Sequence, residues 1–229
     1  MNRIIAIAVA ALVAGPAAAA ERSYPVTDFD RIQVEGPFQV ILATGQSSHV
    51  RATGPAEALD RVSVEVEGGL LRIRANASAW GTAGQSQGPI RIEASTRDLA
   101  RATVLGSGDL VIDKARGLRV DLAVGGSGQL TVGAVDADNL VVDLLGSGEI
   151  KLSGRAKQLH IAAKGSGNVI GAGLTAEDVQ LAADTAGNVT LGAARSVKIT
   201  ATGSGDVTVG GTPACTVDNK GSGRVRCGP

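Results

Sequence analysis

Apolar and polar residues alternate along most of this chain. In the stretch LRVDLAV, apolar residues fall on Leu118, Val120, Leu122 and Val124. The same rhythm gives Leu140, Val142 and Leu144, then Leu159, Ile161 and Ala163. It returns at Val179, Leu181 and Ala183, and again at Val197, Ile199 and Ala201. A period of two is the mark of a half-buried β-strand, whereas a helix would need apolar residues three and four apart. A second, shorter set pairs Leu110 with Ile112, Leu130 with Val132, Ile150 with Leu152, Val189 with Leu191 and Val207 with Val209. Two strands per unit are therefore expected, each with one face turned inward.

Between the two sets stands a recurrent tripeptide. Gly-Ser-Gly occupies 106–108, 126–128, 146–148, 165–167, 203–205 and 221–223, with Thr185-Ala186-Gly187 as a degenerate copy. Successive copies are 20, 20, 19, 20, 18 and 18 residues apart. A period near 20 predicts a solenoid whose coils stack strand on strand. Each coil is read as strand, Gly-Ser-Gly corner, strand and return turn. Stacking at about 4.8 Å per coil would align like side chains in columns. Glycine permits corner angles that side chains forbid, so the same corner is expected to recur wherever the same letters do. The fold class expected is all-β, a parallel β-helix with coils of 18–20 residues over 98–229.

Residues 21–97 are strand-like without holding that period. The stretch FDRIQVEGPFQVILATG alternates around Gly36, and RVSVEVEGGLLRIRA reads as a hairpin about Gly68-Gly69. Val62, Val64 and Val66 share one face of it, with Leu71 and Ile73 on the next strand. This section is expected to cover the open end of the array, as terminal units must. A long polar loop, 75–89, carries Trp80, the single tryptophan. That ring is a candidate contact residue, since aromatic rings anchor interfaces, or else a cap on the solenoid end. At the N-terminus, Arg3 precedes the apolar run IIAIAVAALVAG and the small residues PAAAA. These features predict a signal peptide over 1–20, cleaved after Ala20, and an exported domain over 21–229.

The ordered combination of FDRIQVEGPFQVILATG, RVSVEVEGGLLRIR and repeated GSG followed by Asp, Glu or Asn resembles the auto-transporter adhesin head GIN domain family. The likeness covers about residues 26–226. It implies an exported, right-handed β-helix of envelope proteins. The family supplies no catalytic residue, so the resemblance implies an adhesin-like or structural role.

Charge and chemistry narrow the options further. Lysine plus arginine and aspartate plus glutamate balance at 22 each, which argues against nucleic acid as a partner. Aromatic residues make up 2% of the chain, so the repeats offer no platform for stacking sugar rings. The residue after each corner is polar: Asp109, Gln129, Glu149, Asn168, Asn188, Asp206 and Arg224. Stacking would align them in a ladder. Ca²⁺ needs six to eight oxygens, and Gln129 separates Asp109 from Glu149, so a solvated polar ladder is the simpler reading. No metal or cofactor is expected. His49 and His160 are read as surface residues. Cys215 and Cys227 are expected to form a disulfide in an oxidising compartment. The reading is a non-catalytic envelope or cell-surface binding protein, periplasmic or extracellular, with a glycan or protein partner. A periplasmic accessory protein with a protein partner and a carbohydrate-active β-helix enzyme are the alternatives.

Overall fold

The computed structural model describes residues 20–76, 89–192 and 194–228. Strands β1 (Ala20–Tyr24), β2 (Arg31–Glu35), β3 (Gln39–Thr44) and β4 (His49–Gly54) lead to a short helix, α1 (Ala56–Leu59). Then come β5 (Val62–Glu67), β6 (Leu70–Ala75), β7 (Arg91–Thr96) and β8 (Arg101–Gly106). Four long strands follow: β9 (Asp109–Gly126), β10 (Gln129–Gly146), β11 (Glu149–Gly165) and β12 (Asn168–Thr185). The C-terminal rungs are shorter, with β13 (Val189–Leu191), β14 (Ala194–Ala201), β15 (Val207–Val209), β16 (Ala214–Asn219) and β17 (Val225–Cys227). Together they form a β-solenoid of about six turns.

The long strands β9, β10 and β11 each run from one Gly-Ser-Gly corner to the next, and β12 runs from such a corner to Thr185-Ala186-Gly187. The return segment is therefore not a free turn: Ala115, Val135 and Gly154 stay in parallel register. Two broad faces result. The first carries β6, β2, β8, the C-terminal halves of β9 to β12, then β14 and β16. The second carries β7, β3, the N-terminal halves of β9 to β12, then β13, β15 and β17.

The alternation places aliphatic columns inside. One runs Leu71, Ile32, Ala102, Leu122, Val142, Ile161, Leu181, Ile199 and Val217. All but the last are buried, so the lumen is a packed core. Val217, in the final rung, is 44% exposed. Leu118 departs from the expected inward set, being 79% exposed. The chain turns there between two faces, and the inward rhythm resumes only at Val120.

The N-terminal section is wound out of sequence order. The β2–β3 rung lies between the β6–β7 rung and the β8–β9 rung. Beyond β6 and β7 the chain reverses. Strand β5 pairs antiparallel with β6, β4 with β7, and β1 with β4. Helix α1 buries Ala58 and Leu59 beside them. This end of the solenoid is thus closed by reversed strands that do not continue the parallel stack.

Candidate functional site

The Gly-Ser-Gly edge is built by backbone stacked on backbone. The Ser147 and Gly148 amides both donate to the Gly126 carbonyl, at 2.9 Å each. A Cβ on Gly148 would lie 2.4 Å from the Gly128 oxygen, and one on Gly146, where φ is +116°, 2.4 Å from the Gly126 oxygen. Gly36 is the first member of this column, although no Gly-Ser-Gly marks it. Its φ is +123°, and a Cβ on Gly108 would meet its oxygen at 2.4 Å.

The same letters do not always give the same corner, contrary to expectation. Gly106, Gly126, Gly146 and Gly165 have positive φ, whereas Gly203 and Gly221 do not. The change falls at Thr185, whose side chain makes a left-handed corner costly. Its buried hydroxyl accepts from the Gly187 amide and donates to the Gly167 carbonyl. Each rung rests on the one before, so the following corners keep the altered shape.

The polar ladder takes its role from this change. Before it, the Gln129, Glu149 and Asn168 amides donate to backbone carbonyls of the preceding rung. After it, side chains are the acceptors. The Asn168 Oδ1 accepts from the Asn188 amide at 2.8 Å, Asn188 Oδ1 from the Asp206 amide at 3.1 Å, and Asp206 Oδ1 from the Arg224 amide at 2.8 Å. Asp109 is half-buried, Gln129 is exposed and Glu149 pairs with Lys151 at 2.6 Å. The ladder oxygens that are engaged therefore meet N–H donors or a lysine. No cluster of three or more His, Cys, Asp or Glu is placed to hold a metal ion among the described residues.

Cys215 and Cys227 form a disulfide with their Cα atoms 6.5 Å apart. Cys215 continues the inward column of Val120, Leu140, Leu159, Val179 and Val197, and Cys227 stands beside Val209. The bridge joins the two faces across the lumen at the last described rungs, β16 and β17. Trp80 lies outside the described residues. His49 approaches Ser95, with Nδ1 2.6 Å from Oγ, but Ser95 is buried and its hydroxyl donates to the Ser47 carbonyl. This contact anchors β4 to β7, and the hydroxyl has no open path to a substrate.

The outward positions of the first face carry both paired and unpaired groups. Near the return side, charges are spent on one another. Arg101 and Arg119 each reach Asp121 at 2.8 Å, Arg155 reaches Asp136 at 2.8 Å, Lys157 reaches Asp138 at 2.7 Å, and Arg195 reaches Asp178 at 2.8 Å. Burial pushes the Asp121 carboxyl up, but hydrogen bonds from Arg101 and Arg119 outweigh it and hold the group below the usual carboxylate range. A hydrogen bond from Arg155 lowers Asp136, and those from Ser196 and Arg195 lower Asp178.

Asp121 begins the column that continues through Val141 to His160, and beyond Val141 the polar groups of that column have no partners among the described residues. His160, Gln180 and Lys198 stand in register on β11, β12 and β14 and form a ridge. On one side lies a depression of about 350 Å³ with Ala162 and Ala182 as its floor, Asp143 at one end and Thr200 at the other. On the other side a depression of about 530 Å³ reaches Ser196 and Thr216. Asp143, His160, Gln180, Lys198 and Thr200 make no side-chain hydrogen bond or ion pair with the described residues. Sequence reading placed His160 outward but missed this grouping. The signal was available only by aligning outward residues one coil apart.

The molecule is thus a parallel β-solenoid with a packed lumen and a polar trough on one face whose groups are unpaired among the described residues. The chain belongs to the family described as "Putative auto-transporter adhesin, head GIN domain", whose profile matches residues 28–213. No curated protein matches significantly. Among solved structures, a "putative adhesin" from Bacteroides fragilis is similar, with a TM-score of 0.85 and 21% identity, over 91% of this chain and 96% of that one. A "putative lipid binding protein" from Parabacteroides distasonis has a TM-score of 0.72 and 21% identity, with the same coverage. A "putative adhesin" from Parabacteroides merdae has a TM-score of 0.64 and 17% identity, over 91% and 95%. At these identities the likeness concerns the fold. The family name fits a surface binding role, and no helix among the described residues is long and apolar enough to cross a membrane.

Proposed function

We propose that this protein is an exported, non-catalytic binding module that engages a surface partner through the trough on its first face. The observation that carries this reading is the set of groups Asp143, His160, Gln180, Lys198 and Thr200, unpartnered among the described residues, around two adjoining depressions. Columns nearer the return side pair their charges, as Arg155 does with Asp136 and Arg195 with Asp178. Polar groups left free in a concave surface are ready to exchange water for a ligand at little reorganisation cost. The lumen is filled with aliphatic side chains, which leaves the exterior for recognition.

Export rests on the signal-peptide pattern of residues 1–20. Cleavage after Ala20 would leave the pairing of Glu21–Tyr24 with Val50–Thr53 in place. The experiment is retention of the purified mature protein on printed arrays of envelope glycans and matrix proteins. Retention on one ligand class is expected, and no retention on any would overturn the reading. Protease shaving of intact cells, with a periplasmic marker as control, fixes the compartment. Loss of the protein with the marker intact means surface display. Survival until the outer membrane is opened would contradict the adhesin-like form and favour a periplasmic partner.

A further inference from the structure

We infer that the trough takes a linear acidic glycan, with Lys198 receiving its anionic group; this rests on the binding role proposed above. Among the described residues Lys198 is the one lysine or arginine that lines both depressions, and no carboxylate is paired with it. Of the carboxylates around it, Asp178 is engaged by Arg195 and Ser196 and Asp218 by Lys220 at 3.0 Å, while the unpaired Asp143 stands three rungs away at the far end of the first depression. Around Lys198 stand neutral groups suited to an anion or a hydroxyl. Gln180 and Thr216 are its register neighbours on the adjoining rungs, and Thr200 lies two residues along its own strand.

The rest of the trough suits hydroxyls. His160 and Gln180 continue the ridge, and Asp143 stands at the far end as an acceptor. Asp143 and Thr200 share an outward column with Ala162 and Ala182 between them, three rungs apart, or roughly 14 Å. That length suits an extended segment of a few sugar units lying along the solenoid axis. The small alanines leave room for it. Rings that would stack on neutral sugars are missing from this face among the described residues. Phe29 and Phe38 are 4% exposed, and both belong to the N-terminal section. Recognition must then come from charge and hydrogen bonds, which favours an acidic chain over a neutral one.

The test is calorimetric titration of the mature protein with a galacturonate hexasaccharide, with maltohexaose as the neutral counterpart. Binding of the acidic oligomer alone is expected. Lys198→Ala should weaken it about tenfold, the usual scale for one charge-assisted contact. Lys151→Ala, which removes the same charge from the second face, should leave it unchanged. Equal binding of maltohexaose would overturn the acidic assignment while leaving the trough as a binding site. Equal weakening by Lys151→Ala would mark a diffuse charge effect and overturn the inference. Competition by free acetate as effective as that by the hexasaccharide would reduce the site to a simple anion site and overturn the glycan. Array retention at the trough with no saccharide binding would also overturn this inference, yet leave the binding role standing.

Discussion

The Gly-Ser-Gly edge and the trough lie on the same coils and obey opposite rules. At the edge the corners from Gly126 to Gly167 repeat, because a side chain would strike the neighbouring backbone at about 2.4 Å. In the trough, residues in register differ from rung to rung: Val141, His160, Gln180, Lys198 and Thr216. Repetition follows from stacking, whereas variation at aligned outward positions is free to serve recognition. Loss of an edge group should therefore cost stability, and loss of a trough group should cost binding.

The largest effect should come from Gly146→Ala. The substitution forces a Cβ into a left-handed position against the Gly126 oxygen and should cost about 3 kcal/mol or more, read from denaturant unfolding. Replacing Cys215 and Cys227 by serine should free the final rung. With a sequence separation of 12, the bridge contributes about 3 kcal/mol by chain entropy. Hydrogen exchange should rise in 214–228 first, and an unchanged pattern would contradict the role of the bridge as a fastener.

The two kinds of corner can be told apart by a smaller pair of changes. Asn188→Ala removes the acceptor of the Asp206 amide and should cost about 1 kcal/mol. Gln129→Ala should cost close to nothing, because the Glu149 amide above it already donates to the Gly128 carbonyl. Equal costs would erase the distinction drawn at Thr185.

The paired charges give a pH signature. Asp121 titrates below the ordinary aspartate value of about 3.9 in the folded protein. Its contribution is therefore fully present above that pH and is lost as pH falls through the lower, folded value. Asp121→Asn should flatten acid-side stability by under about 1 kcal/mol, measured by thermal melts from pH 5 downward.

Much of this fold is legible in the sequence because its contacts repeat at a fixed step. The inward columns from Val120 to Ala201 and the coil length need only alternation and spacing. Three features escape that logic. The insertion of the β2–β3 rung between β6–β7 and β8–β9 depends on pairings distant in sequence. The altered corner at Gly203 is set by Thr185 one coil earlier, not by its own letters. Leu118 keeps the alternating rhythm yet lies where the chain turns between faces. The trough was hidden for another reason: His160, Gln180 and Lys198 are about 20 residues apart and mean little until the coils are in register.

The most direct test of the account replaces all three ridge residues at once, His160→Ala, Gln180→Ala and Lys198→Ala. Unfolding stability should stay within about 0.5 kcal/mol of the parent, as for surface changes that break no contact. Array retention of the same variant should be lost. Retention at the parent's level by a folded variant would contradict the central claim and move the binding surface off this face.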